Sequence, residues 1–152
     1  MDDLPVHPGS YALIVELPQV VDLTVGRLGR FSFPAGMYVY LGSAHGPGGL
    51  RARLGRHLRG DGRPRWHVDV LRAVAQVRGY ELSVGKSSLV PPLECRWSQC
   101  LAAVPGSAII APGFGAGDCR WNCAAHLIYL PVEPWRQDWK RLLRPILFGR
   151  GG

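Results

Sequence analysis

The sequence predicts an α+β domain, and three observations carry that expectation. Runs of β-branched and aromatic residues recur at 10–17, 38–41, 76–84 and 126–130. Segments with apolar residues every three or four positions separate or follow them, at 50–58, 67–74, 93–104 and 135–146. With 152 residues and 47% hydrophobic content the chain suits one sizeable core, and no internal repeat, low-complexity tract or linker divides it.

Pro5 and Pro8 keep the N-terminus irregular. Met1 to Ser10 has acidic residues and prolines where a signal peptide needs a basic start and an apolar centre, and no apolar run approaches a bilayer span. A cytoplasmic protein with no membrane partner is expected. Ser10 to Leu17 reads as a buried strand. From Pro18 to Gly36 the chain reads as an inserted hairpin of short β-prone pieces, punctuated by Gly26, Gly29 and Gly36. Met37 begins a second strand, with Tyr38 and Tyr40 on one face, and Gly42 to Gly49 is expected to break it.

The next helix places Leu50, Leu54 and Leu58 on one stripe, His57 beside it and partly buried, and Arg53 at the border of core and solvent. A border arginine can face a phosphate, and the helix N-terminus near Gly49 is expected to offer backbone N–H groups to one. On periodicity alone, Arg51, Arg53, Arg56 and Arg59 read as the solvated side of an amphipathic helix. The glycine loop is not a Walker P-loop, because no Gly-Lys-Ser/Thr follows. The net charge of +7 rests almost wholly on arginine, Lys86 and Lys140 being the only lysines. That balance suits a polyanion, and it also fits an anionic membrane surface or plain solubility.

The ordered set of motifs resembles the GIY-YIG nuclease superfamily, in a branch of uncharacterised function. Tyr40-Leu41-Gly42 would be the second signature element and Gly9-Ser10-Tyr11 the first; Arg53 and His57 match the arginine and the His or Tyr one turn later in the following helix. GMYVYLGSA, GPGGL, RHL, WHVD, ECRW and the cysteine-bearing approach to HLIYL look like that branch, over about residues 9 to 130. The resemblance implies one domain over 1–152, with a small, mainly antiparallel central sheet flanked by helices and a C-terminal helical extension from 131. Ser10 stands where the family has Ile, and the connection between Tyr11 and Tyr40 is much longer than the family's, which puts their pairing in question.

Beyond the arginine helix, Gly60-Asp61-Gly62 reads as a turn and Pro64 as the opening of a helix whose buried stripe is His67, Val70, Leu71 and Val74, with Trp66 beside it and Asp69 off it. His67 reads as a hydrogen-bonded core histidine; WHVD keeps it as a second-tier site residue by resemblance. Gln76 to Val84 is a third strand. Pro91-Pro92 starts a helix with stripe Leu93, Trp97, Cys100, Leu101 and Val104. Glu94, in its first turn, suits the helix dipole, and by resemblance it is the residue that holds a single divalent ion. Glu81 and Asp118 are the substitutes if the register differs.

Cys95 and Cys100 are five apart, about 140° on a helix, which argues against one shared metal. Cys119, Cys123 and His126 form C-x3-C-x2-H, not the usual knuckle spacing, so zinc there is a secondary candidate. Asn122 matches, weakly, an asparagine that some superfamily members place near the metal. The last helix carries Trp135, Trp139, Leu142, Leu143 and Ile146 on one face, reads as a cap on the sheet, and should kink or end at Pro145.

By resemblance the expected function is a metal-dependent endonuclease acting on nucleic acid, DNA before RNA. Tyr11 would be base or water-orienting group, Tyr40 and His57 would position it, and Arg53 would stabilise charge on the phosphate. Arg51, Arg56 and Arg59 would contact nucleic acid, and Glu94 would hold Mg²⁺ or Mn²⁺. The alternative is a catalytically inactive nucleic-acid-binding module on the same fold. A third is a zinc-stabilised interaction domain using Cys119, Cys123 and His126.

Overall fold

The computed structural model describes residues 4–60, 67–86, 88–116 and 119–149. Four strands form the central sheet in the order β5-β1-β4-β6: β1 (Gly9–Leu17), β4 (Gly36–Ala44), β5 (Gln76–Val84) and β6 (Leu127–Leu130). Every neighbouring pair is antiparallel. Helices α1 (Gly49–Arg59), α2 (His67–Arg72), α3 (Leu93–Ala102) and α4 (Val132–Phe148) flank it. The fold is therefore α+β with a mainly antiparallel sheet, as expected.

Every residue of β1 is buried, because both faces of the sheet are covered. Alternation sorts its side chains. Tyr11, Leu13, Val15 and Leu17, with Tyr38 and Tyr40 of β4, pack on Leu50 and Leu54 of α1 and Val68 and Leu71 of α2. Ala12 and Ile14, with Met37, Val39 and Leu41, pack on Trp97 and Leu101 of α3 and Trp135, Leu143 and Leu147 of α4. The α4 helix thus caps the second face, and the Trp97 indole N–H donates to the Leu147 carbonyl at 2.9 Å.

The insertion folds as the expected hairpin, β2 (Val21–Val25) and β3 (Gly29–Phe33), joined by a 3-10 turn at Gly26–Leu28. It forms its own two-stranded sheet, anchored by buried Val25 and Phe33. Because it folds away from β1 and β4, those strands pair without interruption from Gly9↔Ala44 to Leu17↔Gly36. The long connection therefore does not separate Tyr11 from Tyr40, whose rings lie 6.2 Å apart.

Several local expectations are corrected. The second strand does not stop at Leu41 but runs to Ala44; Gly42 serves a close side-chain approach inside the strand rather than a turn. The first amides of α1 do not face a ligand: Leu50 N–H donates to the His7 carbonyl at 3.0 Å and Arg51 N–H to Pro5 at 2.9 Å. In α2 the buried residues are Val68 and Leu71, while His67 and Val70 are half-buried and Val74, beyond the helix end, is exposed. The expected turn at Asp61-Gly62, Pro64 and Trp66 lie outside the described residues. In α3, Cys95, Trp97, Ser98 and Leu101 are buried and Cys100 is exposed. The buried face centres on Cys95, Ser98 and Leu101, which places Cys100 well round the helix.

Pro145 does not end α4, which continues to Phe148; the non-helical backbone is at Glu133 and Asp138. Pro145 is exposed, so the hydrogen bond that its missing N–H forgoes lies on the solvent side. The break at Asp138 resets the register, leaving Trp135, Leu143 and Leu147 innermost and Trp139, Leu142 and Ile146 half-buried. Among the described residues no helix is long and apolar enough to cross a membrane.

The irregular segment before β6 is fastened to the core by Phe114, which is fully buried and meets the rings of Phe33, Tyr40 and His67 edge-on at 6.4, 6.2 and 5.5 Å. Phe114→Ala is expected to cost about 3–5 kcal/mol. That would be read as a lower urea midpoint at unchanged m-value; a loss below about 1 kcal/mol, at the level of surface substitutions, would show that this segment is not part of the core.

Candidate active site and metal cluster

The candidate site lies where β4 outruns β6. Strand pairing between them covers Met37 to Tyr40, and one more bond runs from Leu41 N–H to the His126 carbonyl at 2.8 Å. Beyond it the edge of β4 opens into a cleft of 350 Å³, lined by Tyr40, Leu41, Gly42, Ser43, Arg53 and Glu94, with Cys95, Cys119, Trp121 and His126 among the others. At this open edge residues from the two faces of the sheet meet. Tyr40 and Arg53 come from the α1 side, Glu94 and Cys95 from α3.

Gly42 stands opposite Tyr11 in the register. A Cβ there would lie 2.5 Å from Tyr11 Cζ and 2.6 Å from its hydroxyl oxygen, so only glycine lets the phenol lie flat across β4. The Tyr11 hydroxyl is 3.1 Å from His57 Nε2, and His57 Nδ1 is 2.9 Å from Asp69 Oδ1. An N–H on Nδ1 facing the carboxylate leaves Nε2 as acceptor for the Tyr11 O–H. Asp69 is held in turn by Arg56 at 3.7 Å. Arg72 ties the helices that carry this chain together, donating from Nε to the His57 carbonyl at 3.0 Å and from a terminal nitrogen to Leu58 at 3.0 Å.

Burial governs the protonation of this group. It raises the Tyr11 pKa well above the ordinary phenol value, with Tyr40 adding to the rise and Arg53 opposing it. Burial also pushes Tyr40 up to about 12 against the pull of Arg53. His57 is lowered by burial, with Asp69 opposing. It is 1% exposed, more deeply buried than its place beside the leucine stripe suggests. At neutral pH both phenols are protonated and the imidazole is neutral.

Arg53 donates to the Ser43 carbonyl at 2.8 Å and also lines a second hollow with Gly46, Pro47, Ala52 and Arg56. Glu94 is half-buried and is the one carboxylate among the described residues that line the main cleft. The Ser10 hydroxyl donates to Glu94 Oε2 at 3.4 Å. Glu81 lies away from this centre, ion-paired to Arg144 at 3.1 Å, and Asp118 is outside the described residues. Arg51 donates to the Leu4 carbonyl at 2.7 Å, Arg56 faces Asp69, and Arg59 is exposed.

His67 lies outside the cleft lining. Its Nδ1 accepts the Gly115 N–H at 2.8 Å, and its pKa is lowered by burial. That contact holds the segment that walls the cleft, so the imidazole is hydrogen-bonded as expected, although His67 is half-buried rather than on the buried stripe. Asn122 is exposed, in the left-handed conformation at φ 59°, and borders a separate hollow with Ser98, Gln99 and Cys123.

Beside Glu94, Cys95, Cys119, Cys123 and His126 form a Cys3His cluster of the kind that binds a metal ion, with all four ligand atoms within 4.8 Å of one another. The expected triad is therefore incomplete. Its fourth member comes from α3, 24 residues before Cys119, which is why spacing within C-x3-C-x2-H did not resemble a knuckle. Asp69, Cys95 and Ser10 were all missed in these roles by sequence reasoning. The available signals were the acidic end of WHVD, the cysteine of ECRW, and the serine between Gly9 and Tyr11.

An antiparallel α+β scaffold with a Tyr/His/Arg cleft and an adjoining thiol-imidazole cluster defines a small domain with a built polar site. The chain belongs to the family described as domain of unknown function DUF123, whose model matches residues 10–146 and so runs into α4. No curated protein matches it significantly. No solved structure does either.

The buried imidazoles make stability depend on acid. His57 and His67 have pKa values lowered by burial. The unfolded chain therefore binds more protons than the folded one just below the ordinary histidine value of about 6.5, and stability falls as pH drops through that range. The urea midpoint is expected to decrease from pH 7.5 to 5.5, and His57→Gln to shallow that dependence. A midpoint that rises on acidification would contradict the burial assignment.

Proposed function

We propose that this chain is a divalent-metal-dependent endonuclease of the GIY-YIG type, hydrolysing phosphodiester bonds in nucleic acid, with DNA the first substrate to test. What supports this is one convergence: Tyr40, Arg53 and Glu94 line one cleft at the open strand edge, and the buried Asp69–His57–Tyr11 chain ends behind Gly42, which lines that cleft too. The cleft volume of 350 Å³ suits part of a nucleotide. Arginine's planar fork matches phosphate oxygens.

The residues also fit the metal that the resemblance implies. One half-buried carboxylate beside a serine hydroxyl suits Mg²⁺ or Mn²⁺, which take few protein ligands and keep several waters. Glu94 would hold the ion, which when bound supplies charge stabilisation to the phosphoryl oxygens. Zn²⁺ suits the separate Cys3His cluster.

The side chains would divide the remaining work. Arg53 meets the non-bridging oxygens as charge builds on them. Tyr40, protonated at neutral pH, donates a hydrogen bond from the cleft wall. As water attacks phosphorus, its proton passes to the Tyr11 oxygen while the Tyr11 proton moves to His57 Nε2; Asp69 stabilises the resulting imidazolium. The bond to the leaving oxygen breaks, and that oxygen is protonated from solvent.

The depth of Tyr11, 1% exposed and already bonded to His57, favours a second reading: a nucleic-acid-binding module that no longer cleaves. The two separate on cleavage of supercoiled plasmid and labelled branched DNA by chelator-treated protein with Mg²⁺ or Mn²⁺ restored. Cleavage should require the metal and fall by about 10²-fold or more in Arg53→Ala and in Glu94→Ala. Nicking that survives both substitutions unchanged would sink the assignment. Salt-sensitive binding without turnover on DNA and RNA would establish the module.

A further inference from the structure

We infer that Cys95, Cys119, Cys123 and His126 hold one structural Zn²⁺, and that the ligated loop presents Trp121 at the lip of the cleft as a stacking platform for an unpaired nucleobase. The second part rests on the nucleic-acid reading above and narrows it to substrates with a single-stranded or displaced base beside the scissile phosphate. The metal site stands without it.

The four ligand atoms lie close enough together, all within 4.8 Å, to gather round one zinc ion. Zn–S bonds of about 2.3 Å place neighbouring ligand atoms about 3.8 Å apart at the tetrahedral angle. Cys95 Sγ lies 3.7 Å from Cys119 Sγ and 3.8 Å from His126 Nε2. A disulfide would need about 2.05 Å. Three thiols and an imidazole complete four-coordination, leaving no open position for water, which marks a structural site. The outer shell is in place as well: Trp121 N–H donates to Cys119 Sγ at 3.4 Å and the Gln99 amide to Cys123 Sγ at 3.6 Å, contacts that steady thiolates and orient ligands.

The loop between the two loop cysteines gives the site a use. Cys119 and Cys123 bracket Arg120, Trp121 and Asn122, and the left-handed Asn122 turns the chain so that both cysteines return to the cluster. Arg120 and Trp121 are left on the outside. Both line the cleft that holds Arg53 and Glu94. Trp121 is 41% exposed; the other large aromatic so exposed among the described residues, Phe148, is not in that lining. An exposed indole in a cleft that Arg53 and Arg120 also line is suited to stacking a base while arginines meet the backbone phosphates. A base inside a duplex has no free face to offer, so the platform selects unpaired ones.

Two measurements on the full chain test this. Purified protein is expected to carry one zinc per chain by elemental analysis, and Co²⁺ added to chelator-treated protein to give the thiolate charge-transfer and tetrahedral visible bands. No zinc and no such bands would overturn the site, and Cys119→Ser is expected to abolish both. Binding of a labelled single-stranded oligonucleotide at fixed salt, followed by anisotropy, is expected to weaken about 5- to 100-fold in Trp121→Ala. Trp121→Phe should recover most of it, zinc content should be unchanged in both, and blunt duplex should respond less than twofold. Equal binding by wild type and Trp121→Ala would overturn the platform alone. If wild type binds neither oligonucleotide, the platform and the nucleic-acid reading fall together while the zinc result stands.

Discussion

The strand β4 is longer than the partner that covers its edge, and the rest of the site follows from that mismatch. Leu41 makes the last backbone bond toward the β6 side. In an antiparallel ladder the groups two residues on point the same way, so Ser43 turns its carbonyl toward an edge with no strand opposite among the described residues. An unpaired strand edge is a hazard that folded proteins cover. Arg53 supplies the cover here, donating to Ser43 from α1. The arginine proposed to meet a phosphate is thus also the one that finishes the sheet.

A second constraint sets the depth of the site. Tyr11 lies against Gly42 because β1 and β4 pair in a register that leaves no room for a side chain there. The phenol is thereby aimed at His57, and His57 at Asp69. Each is kept in its neutral or protonated form by burial, so the chain is charged only at its Asp69 end, where Arg56 balances it. Such an arrangement can pass a proton without placing an isolated charge in the core. It also explains why α1 and α2 are bound to one another by Arg72: the His57–Asp69 contact spans the two helices and depends on their spacing.

Much of this was legible from the sequence, and the limits were physical. Buried strands show themselves by β-branched and aromatic runs, so Gln76 to Val84 was read to its ends. Tyr11, Tyr40, Arg53 and Glu94 were found through ordered motifs, and Tyr40, Arg53 and Glu94 do line one cleft, with Tyr11 packed behind Gly42. Asp69 was passed over because it is off the apolar stripe, and its partner is in another helix with no fixed offset. Cys95 was set against Cys100 because helix geometry compares neighbours; its real companions are in a loop that only the packing of α3 brings near. Glycine was the most ambiguous residue. At Gly42 it permits contact within a strand, at Gly60 it ends a helix in the left-handed conformation, and the letter alone does not separate these uses. The break in α4 at Glu133 is the extended backbone that a residue before proline adopts, Pro134 following it, whereas the break at Asp138 carries no proline or glycine signal.

The central claim is that Arg53 and Glu94, reaching the open strand edge from opposite faces of the sheet, act on one phosphate. A double-mutant cycle tests it most directly, measuring kcat/KM for metal-supported cleavage of a labelled oligonucleotide by wild type, Arg53→Ala, Glu94→Ala and the double variant. Residues that act as a unit are strongly non-additive. The double variant is therefore expected to lose little more than the worse single one. Losses that multiply, or cleavage indifferent to both substitutions, would contradict a shared site.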